Sequence, residues 1–288
     1  MPLELILANV LNGISYASIL FLISSGLSLV FGVMGILNLA HGALYMAGAF
    51  IGLTAAGYWG NFLMGLVVAV LSLGVIGLVL ERLFLGRLYK QFNEQALLTL
   101  GLVYICANVV MWIWGPWSRK GKSPAILTDS VTIGDFNFSV YRFAIIAIGL
   151  VIFGGLWWLQ DKTKIGARIR AGMDNKEMTT GLGVNYGMIS TAIFILGAIM
   201  GGLAGFLGAP IIGAFPEMSM DILLLAMIVS VVGGLGSIQG ALLGSLIIGI
   251  IDTFGKAYFP NLSTFTVYFI FIIMLLTKPT GLVGRKQI

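Results

Sequence analysis

The chain has 288 residues, of which 59% are hydrophobic and only 9% are charged. Soluble domains are typically about 45–50% apolar and about 25% charged, so this composition excludes a water-soluble globular fold. The formal net charge of +5 could indicate an acidic partner, but its distribution along the chain explains it better. We therefore expect an all-α integral membrane protein.

Apolar runs separated by charged or turn residues predict the membrane segments. Residues 5–80 contain no Asp, Glu, Lys or Arg, and about 20 apolar residues are enough for one helix to cross a bilayer. The first residues lack the features of a cleaved signal peptide, so we expect the first segment to remain as a helix. The fold expected is a polytopic bundle of about eight segments, forming one domain over 1–288. The predicted segments are 5–31, 41–57, 62–80, 96–115, 142–159, 188–213, 222–251 and 264–277.

The basic residues predict an orientation. Segments 81–94, 161–187 and 278–288 hold eleven of the sixteen Lys and Arg residues. Because cytoplasmic loops are enriched in Lys and Arg, these segments are expected inside the cell. This places the N-terminus outside and the C-terminus inside a bacterial cytoplasmic membrane. The parity of crossings then requires segment 222–251 to enter and leave from the outer face, as a re-entrant pair of half-helices would.

Two glycine-rich interruptions resemble each other. Segment 222–251 is broken at 232–237, and Gln239-Gly-Ala-Leu follows the break. In the first half, the glycine-rich stretch 31–36 precedes His41-Gly-Ala-Leu. Paired interruptions in the two halves of a transporter indicate a site at mid-depth. Chance similarity in a chain rich in Gly, Ala and Leu is the other interpretation.

Four polar residues near these interruptions are candidates for a substrate pathway: Asn38, His41, Ser237 and Gln239. Polar groups within lipid are costly and are therefore functional candidates. For His41 we favour a structural role, with a neutral ring bonded to backbone where a helix begins. Asn38 is expected to pair with His41 or to satisfy carbonyl groups freed by the break.

Other polar residues are expected to have local roles. Ser24, Ser25 and Ser28 are expected to bond back to their own helix, and Glu217 and Asp221 to face solvent. The sequence has no second histidine, no Cys/His cluster with metal-ligand spacing and no phosphate-binding loop. We therefore expect no catalytic site and no cofactor, so that any ATP must be bound by another chain.

The segment 161–187 is long for a helix connection and carries five basic and three acidic residues. Its pattern predicts one short helix over 165–178, ended by Gly181 and Gly183. A solvated loop whose charge follows the positive-inside rule is the alternative. Within this segment Gly-x-x-x-Arg-Ala at 166–171, followed by Gly-Val-Asn at 183–185, resembles the cytoplasmic coupling segment of ABC-type importer permeases.

The resemblance extends to the branched-chain amino acid permease family over nearly the whole chain. The motifs that carry it are 26–42 with the following Tyr-Met-Ala-Gly-Ala, then 232–245, and the C-terminal Lys-Pro-Thr-Gly-Leu-Val-Gly at 278–284. The family usually has Phe where this chain has Val283. Three separated motifs in the same order are more specific than any one glycine-rich match.

This resemblance implies a permease subunit without enzymatic activity of its own. Its implied partners are a second related permease, two ABC ATPases and an extracytoplasmic substrate-binding protein, and this chain corresponds to the smaller permease. The residues expected to couple to an ATPase are Gly166, Arg168, Arg170, Ala171, Asp174, Glu177 and Gly183.

Other functions remain open from the sequence. Relatives that carry urea, short amides or other amino acids share a similar framework. A passive channel or secondary transporter would use broken helices equally well, although we expect no carboxylate deep in an apolar run, since Glu81 and Asp252 lie at run ends. A membrane-embedded enzyme is disfavoured by the missing catalytic cluster.

Overall fold

The computed structural model describes residues 3–35, 37–88, 91–133 and 136–283. Within these ranges the chain is overwhelmingly helical, which confirms the all-α class. Parts of some predictions lie outside the described residues. They are Ile36 and Gly284 of the quoted motifs, and Lys90, Arg285 and Lys286 of the charge pattern.

The described residues form eleven α-helices and one β-hairpin. The helices are α1 (Leu3–Met34), α2 (His41–Trp59), α3 (Phe62–Leu83), α4 (Phe92–Trp114), α5 (Val140–Lys162), α6 (Lys164–Asp174), α7 (Lys176–Gly181), α8 (Tyr186–Ile212), α9 (Met218–Gly233), α10 (Ile238–Tyr258) and α11 (Ser263–Thr277). The hairpin pairs β1 (Ser130–Ile133) with β2 (Phe136–Ser139) in antiparallel register, with Ser130 opposite Ser139.

Six of these helices in the described part of the chain are long and apolar enough to cross a membrane: α1, α3, α4, α5, α8 and α10. Segment 222–251 is divided into α9 and α10 by a turn at 234–237, as the glycine-rich break predicts. The two parts are unequal. With 16 residues, α9 is about 24 Å long, whereas the 21 residues of α10 span about 31 Å, the thickness of a bilayer core.

The direction of each helix follows from its neighbours. We call the end of the bundle that carries α6 and α7 the short-helix end, and the end that carries the β-hairpin the hairpin end. α1 and α10 are antiparallel, since Gly13 packs on Ile250 while Gly32 packs on Gly236. α2 and α8 run in the same direction, towards the hairpin end.

Two helices begin in the middle of the bundle. His41, the first residue of α2, contacts the carbonyl of Ile23, about 16 Å along α1 from its end at Met34. Gly42 packs against Ser219 in the first turn of α9. From this meeting point α2 runs to the hairpin end and α9 to the short-helix end. The paths of α1–α3 and α8–α10 are therefore similar but opposite in direction.

Small residues allow the central helices to approach closely. Between α2 and α8, Gly48 packs on Gly202, and a Cβ added at Gly205 would collide with the Tyr45 carbonyl oxygen. In lipid the hydrophobic effect does not drive helices together, so association depends on such backbone contact. We call this contact between α2 and α8 the α2–α8 seam. Only small residues fit at its closest points.

We predict that Gly205→Ala destabilises the protein, because overpacking a close contact costs about 1–3 kcal/mol. The matched control is Gly101→Ala on α4, where an added Cβ has no atom within 4 Å. Thermal unfolding in detergent should show a lower midpoint for Gly205→Ala alone. Equal midpoints would contradict the described seam.

Candidate functional site

The first interruption, between α1 and α2, is held by side chains that replace missing helical hydrogen bonds. Asn38 Oδ1 accepts from the Ala40 amide at 3.1 Å, and the Asn38 carbonyl accepts from the His41 amide at 3.2 Å. The Leu39 amide donates to Thr99 Oγ1 of α4 at 3.3 Å. Non-helical backbone at membrane depth is tolerated only when its polar groups are satisfied in this way.

His41 is completely buried, and its ring is bonded to backbone. Its Nε2 lies 3.0 Å from the Ile23 carbonyl oxygen and must carry the proton that is donated. This is the structural contact that the sequence favours. Among the described residues, His41 Nδ1 and Asn38 Nδ2 are buried polar atoms without a hydrogen-bond partner. The Asn38 side chain accepts from a backbone amide, whereas pairing with His41 or satisfaction of freed carbonyl groups was expected.

The second interruption, at 234–237, is attached to α1. The Gly236 amide donates to Ser28 Oγ at 2.9 Å. Ser237 Oγ accepts from the Gly240 amide at 2.9 Å and thereby caps the start of α10. Ser237 is partly buried and Gln239 is exposed. Ser24 and Ser25 bond back to their own helix, as expected, at 3.3 and 3.0 Å.

The four residues of the predicted pathway do not meet in one place. Asn38 and His41 lie at mid-depth, whereas Ser237 and Gln239 belong to the second interruption. The second interruption contacts α1 at Ser28, only about 9 Å along α1 from the short-helix end. The counterpart of the first interruption is the turn at 213–217, which leads from α8 to the mid-depth start of α9. The repeated Gly-Ala-Leu sequence reflects a shared helix start after a glycine turn, not an equivalent depth.

Two buried carboxylates were not recognised from the sequence. Glu81 and Asp252 are only 3% and 5% exposed, although both lie near the ends of apolar runs. Glu81 Oε2 accepts from the Thr191 hydroxyl at 2.8 Å, and Asp252 pairs with Lys256 at 2.5 Å. Their burial arises from packing between helices distant in sequence, which a single run does not reveal. Glu217 and Asp221 are exposed on this chain, but they lie at the mid-depth start of α9 and not at an end of the bundle.

The connection between α5 and α8 contains two helices, so the prediction of one helix over 165–178 is wrong. Asn175 has an extended backbone, with φ −154° and ψ 102°, and separates α6 from α7. Its Oδ1 accepts from the Met178 amide at 2.9 Å, which makes Asn175 the N-cap of α7. Asn favours such caps over helix interiors because its side chain competes for backbone amides.

One face of α6 is seated on the bundle. The Met173 methyl group lies where α1 meets the second interruption, beside Gly32 and Gly236. The Tyr186 ring packs on Gly172, and its hydroxyl donates to the Val33 carbonyl. We call this contact of α6 with α1, α8 and the 234–237 turn the α6 seat. It links the connecting segment to both interrupted regions through α1.

The seven predicted coupling residues are spread over both faces of this segment. Gly166 is buried, and a Cβ there would collide with the Gln160 and Leu159 carbonyl oxygens. Arg170 is partly buried and donates to the Gln160 carbonyl; it also pairs with Asp161 at 3.4 Å. The exposed members are Arg168, Ala171, Asp174, Glu177 and Gly183.

The geometry has the features of a transport protein. Interrupted helices at mid-depth lie inside an apolar bundle, and a polar segment is anchored at one end. Among the described residues, no group of three or more His, Cys, Asp or Glu side chains is placed to hold a metal ion.

A sequence model of the family described as the branched-chain amino acid transport system permease component matches residues 9–277. This chain belongs to that family. The permease is therefore a multi-pass protein of the inner membrane, and its long apolar helices are its membrane-crossing elements.

Named relatives match the permease over nearly their full lengths. The high-affinity branched-chain amino acid transport system permease protein BraD of Pseudomonas aeruginosa is 27% identical, over 98% of this chain and 97% of its own. The corresponding LivH protein of Escherichia coli K12 is 28% identical, over 98% and 96%. A probable LivH of Methanocaldococcus jannaschii is 26% identical, over 95% and 91%.

A solved structure shares the fold. PsaBC from Streptococcus pneumoniae, in complex with Fab, aligns with a TM-score of 0.54 over 93% of the permease and 91% of that chain. The identity is only 12%, so this likeness concerns the fold alone.

We predict that Asn38→Ala lowers the stability of the permease, because the Ala40 amide loses its buried acceptor, at a cost of about 1–3 kcal/mol. Gln239→Ala removes an exposed amide and is the matched control. Thermal midpoints in detergent should fall for Asn38→Ala and stay near wild type for Gln239→Ala. Equal effects of the two changes would show that the first interruption does not depend on Asn38.

Proposed function

We propose that this chain is the permease subunit of an ATP-driven importer that moves leucine, isoleucine and valine across the cytoplasmic membrane. The observation that carries the proposal is the α6 seat, which attaches a polar connecting segment to the ends of interrupted membrane helices. The membership of the family and the named relatives support the substrate class.

The energy source would lie on partner subunits. The sequence has no phosphate-binding loop, so nucleotide would be bound and hydrolysed by two ATPases. A second related permease and an extracytoplasmic binding protein would complete the assembly. This chain would contribute one membrane domain, whose two conformations bind the substrate differently.

The face of the connecting segment opposite the seat suits a docking site for an ATPase. Met178 and Leu182 are 67% and 79% exposed, unusual for large apolar side chains on a polar segment. Asp174, Glu177 and Gly183, three exposed members of the coupling set, lie close to them along the chain. Movement of a docked ATPase would be transmitted through Met173 and Tyr186 to α1 and the second interruption.

The pathway would pass the two interruptions in turn. At mid-depth, Asn38 Nδ2 and His41 Nδ1 are buried groups available to a polar substrate. The N-termini of α2 and α9 meet there. The start of α9 already carries Glu217 and Asp221, whereas the first turn of α2 has no acidic residue, so the partial positive charge of the α2 N-terminus would favour a substrate carboxylate. Nearer the short-helix end, Ser237 and the exposed Gln239 would border the exit, where the second permease would complete the wall.

The orientation follows from the coupling role. The short-helix end would face the cytoplasm, and the N-terminus would then lie outside and the C-terminus inside. The basic segments 81–94, 161–187 and 278–288 would then be cytoplasmic, in agreement with the positive-inside rule.

An ion-coupled secondary transporter is the second candidate, because Glu81 and Asp252 are buried. Such carboxylates can carry protons through membranes. The two cases differ in energy source: an ion-coupled protein would accumulate substrate without ATP, whereas the proposed importer would not.

We predict that Leu182→Asp weakens ATPase binding, because a charge would be buried in an apolar contact. The expected loss of co-purified ATPase is about ten-fold, corresponding to about 1.4 kcal/mol. Ile126→Asp is the control. It introduces the same charge at a position that is 88% exposed but lies at the hairpin end, so it should leave ATPase recovery unchanged. Unchanged recovery with Leu182→Asp would exclude this docking face.

We also predict that proteoliposomes containing the complete importer accumulate labelled leucine only when ATP is present on the side of the membrane that carries the ATPases. Unlabelled isoleucine and valine should compete, while urea and acetamide should not. Competition by urea or acetamide without competition by valine would assign the chain to another substrate class.

A further inference from the structure

A cavity of about 1220 Å³ opens at the hairpin end, and its wall includes the first residues of α3 and α5 and the end of α8. Four cationic side chains line it: Arg119, Lys120, Lys122 and Arg142. No Asp or Glu in the described ranges belongs to the lining, and no acidic side chain of those ranges forms a salt bridge with any of the four. A concave surface with one sign of charge focuses its field and attracts solutes of opposite sign. The cavity therefore favours a ligand that is negatively charged and has no cationic group of its own.

The cations belong to the bundle and not to a free loop. Arg119 and Ala214 exchange two backbone hydrogen bonds of 2.8 Å, and the Gly121 amide donates to the Ala209 carbonyl at 3.3 Å. These bonds fasten the segment after α4 to the end of α8. Arg142 lies in the first turn of α5 and is partly buried. Since guanidinium groups bind phosphate groups through paired hydrogen bonds, this arrangement suits a phosphate.

Exposed aromatic side chains mark the headgroup level of the membrane at the same end. Tyr58 and Trp59, at the end of α2, are 83% and 56% exposed, and Trp117, two residues before Arg119, is 78% exposed. Trp and Tyr are enriched where a membrane meets water, because each has an apolar ring and a polar atom that stays hydrated. The neighbouring Gly57 also lines the cavity. The cationic rim therefore lies at the depth of lipid headgroups.

The inner wall of the cavity is apolar. Phe62, Phe206 and Ile211 line it, and the centroids of the two phenylalanine rings are 4.6 Å apart. Tyr141 adds its ring to this wall, while its hydroxyl donates to the Leu207 carbonyl at 2.8 Å and so already has a partner in the bundle. A free phosphate would leave this wall uncovered, whereas acyl chains attached to a phosphate would cover it.

The cavity lies at the periphery of the bundle. In the apolar stretches of α3 and α5 that are long enough to span a membrane, only 22% and 17% of the residues are buried, against 78% in α8. Exposed apolar helix faces are the surfaces that a bilayer surrounds. A ligand from the bilayer would reach the cavity along α3 and α5, without entering the α2–α8 seam.

We infer that this cavity binds an anionic phospholipid from the leaflet at the hairpin end, with the phosphate on the cationic rim and the start of the acyl chains on the apolar wall. Basic pockets between membrane helices bind such headgroups. Phosphatidylglycerol and cardiolipin have no ammonium group, whereas phosphatidylethanolamine carries one for which the described lining supplies no acid.

The size of the cavity suits a lipid. Its volume exceeds the roughly 300–1,000 Å³ of sites for drug-sized ligands, which leaves room for a headgroup and the first carbons of its chains. The segment after α4 and the start of α5 supply different cations. The bound lipid bridges these two elements and thereby stabilises the hairpin end.

The test uses the full-length permease with its co-purifying subunits in an uncharged detergent. Native mass spectrometry measures the affinity for dioleoylphosphatidylglycerol, for dioleoylphosphatidylethanolamine, which has the same acyl chains, and for inorganic phosphate, which has none. The anionic lipid should bind about ten-fold more tightly than either. It should also raise the thermal midpoint more than phosphatidylethanolamine does, because a ligand that binds only the folded state stabilises that state.

Variants locate the lipid. Lys122→Gln and Arg142→Gln should each weaken phosphatidylglycerol binding about five-fold, the contribution of one cation beside an anionic headgroup, and Arg142→Lys should restore part of the loss. Lys278→Gln removes one charge at an exposed position at the short-helix end and should bind like wild type. Lys122 is itself exposed, so its replacement should leave the thermal midpoint without lipid unchanged.

Three results would overturn the inference: equal affinity for the two lipids, phosphate binding as tight as that of the anionic lipid, or the same loss in the control as in the cavity variants. Gln variants that keep wild-type lipid affinity but no longer dock the extracytoplasmic binding protein would assign the cations to a protein contact and also refute the lipid site. The proposed transport function would stand in each case, because the lipid site does not depend on the substrate.

Discussion

The contact of α6 with the ends of α1, α8 and the 234–237 turn is the interaction on which the rest of the arrangement depends. Met173 covers the point where Gly32 meets Gly236, and the Tyr186 hydroxyl binds the Val33 carbonyl. Without this seat the connecting segment would still contact the end of α5 through Gly166 and Arg170, but it would not contact α1 or the 234–237 turn. With it, we propose, a displacement at the surface would be applied directly to α1, the helix that carries the His41 contact.

The interior follows from a second constraint, the need to satisfy backbone groups where helices are interrupted. Asn38, Thr99, Ser28 and Ser237 each supply a hydrogen bond at a break. These bonds are few and local, and they hold the backbone at each break in one definite conformation. Close glycine contacts hold the surrounding helices against one another.

Much of the fold could be predicted from the sequence, because the membrane imposes a length and a polarity on each helix. The break after Gly233 was also predictable, from glycine clustering. The structural contact of His41 was predictable from its place where a helix begins within an apolar region. The depth of the second interruption, the split at Asn175 and the burial of Glu81 and Asp252 were not. The depth and the burial depend on contacts between segments that are distant in sequence. The split arises because Asn175 caps a new helix instead of continuing the first one. The periodicity of the sequence shows neither.

The most direct test of the central claim is the number of leucine molecules imported per ATP hydrolysed by the complete importer carrying Tyr186→Phe. This change removes the hydroxyl bound to Val33 and leaves the ring on Gly172. If the α6 seat transmits movement, ATP hydrolysis should continue while import per ATP falls severalfold. An unchanged ratio, with hydrolysis and import both at wild-type rates, would contradict the account.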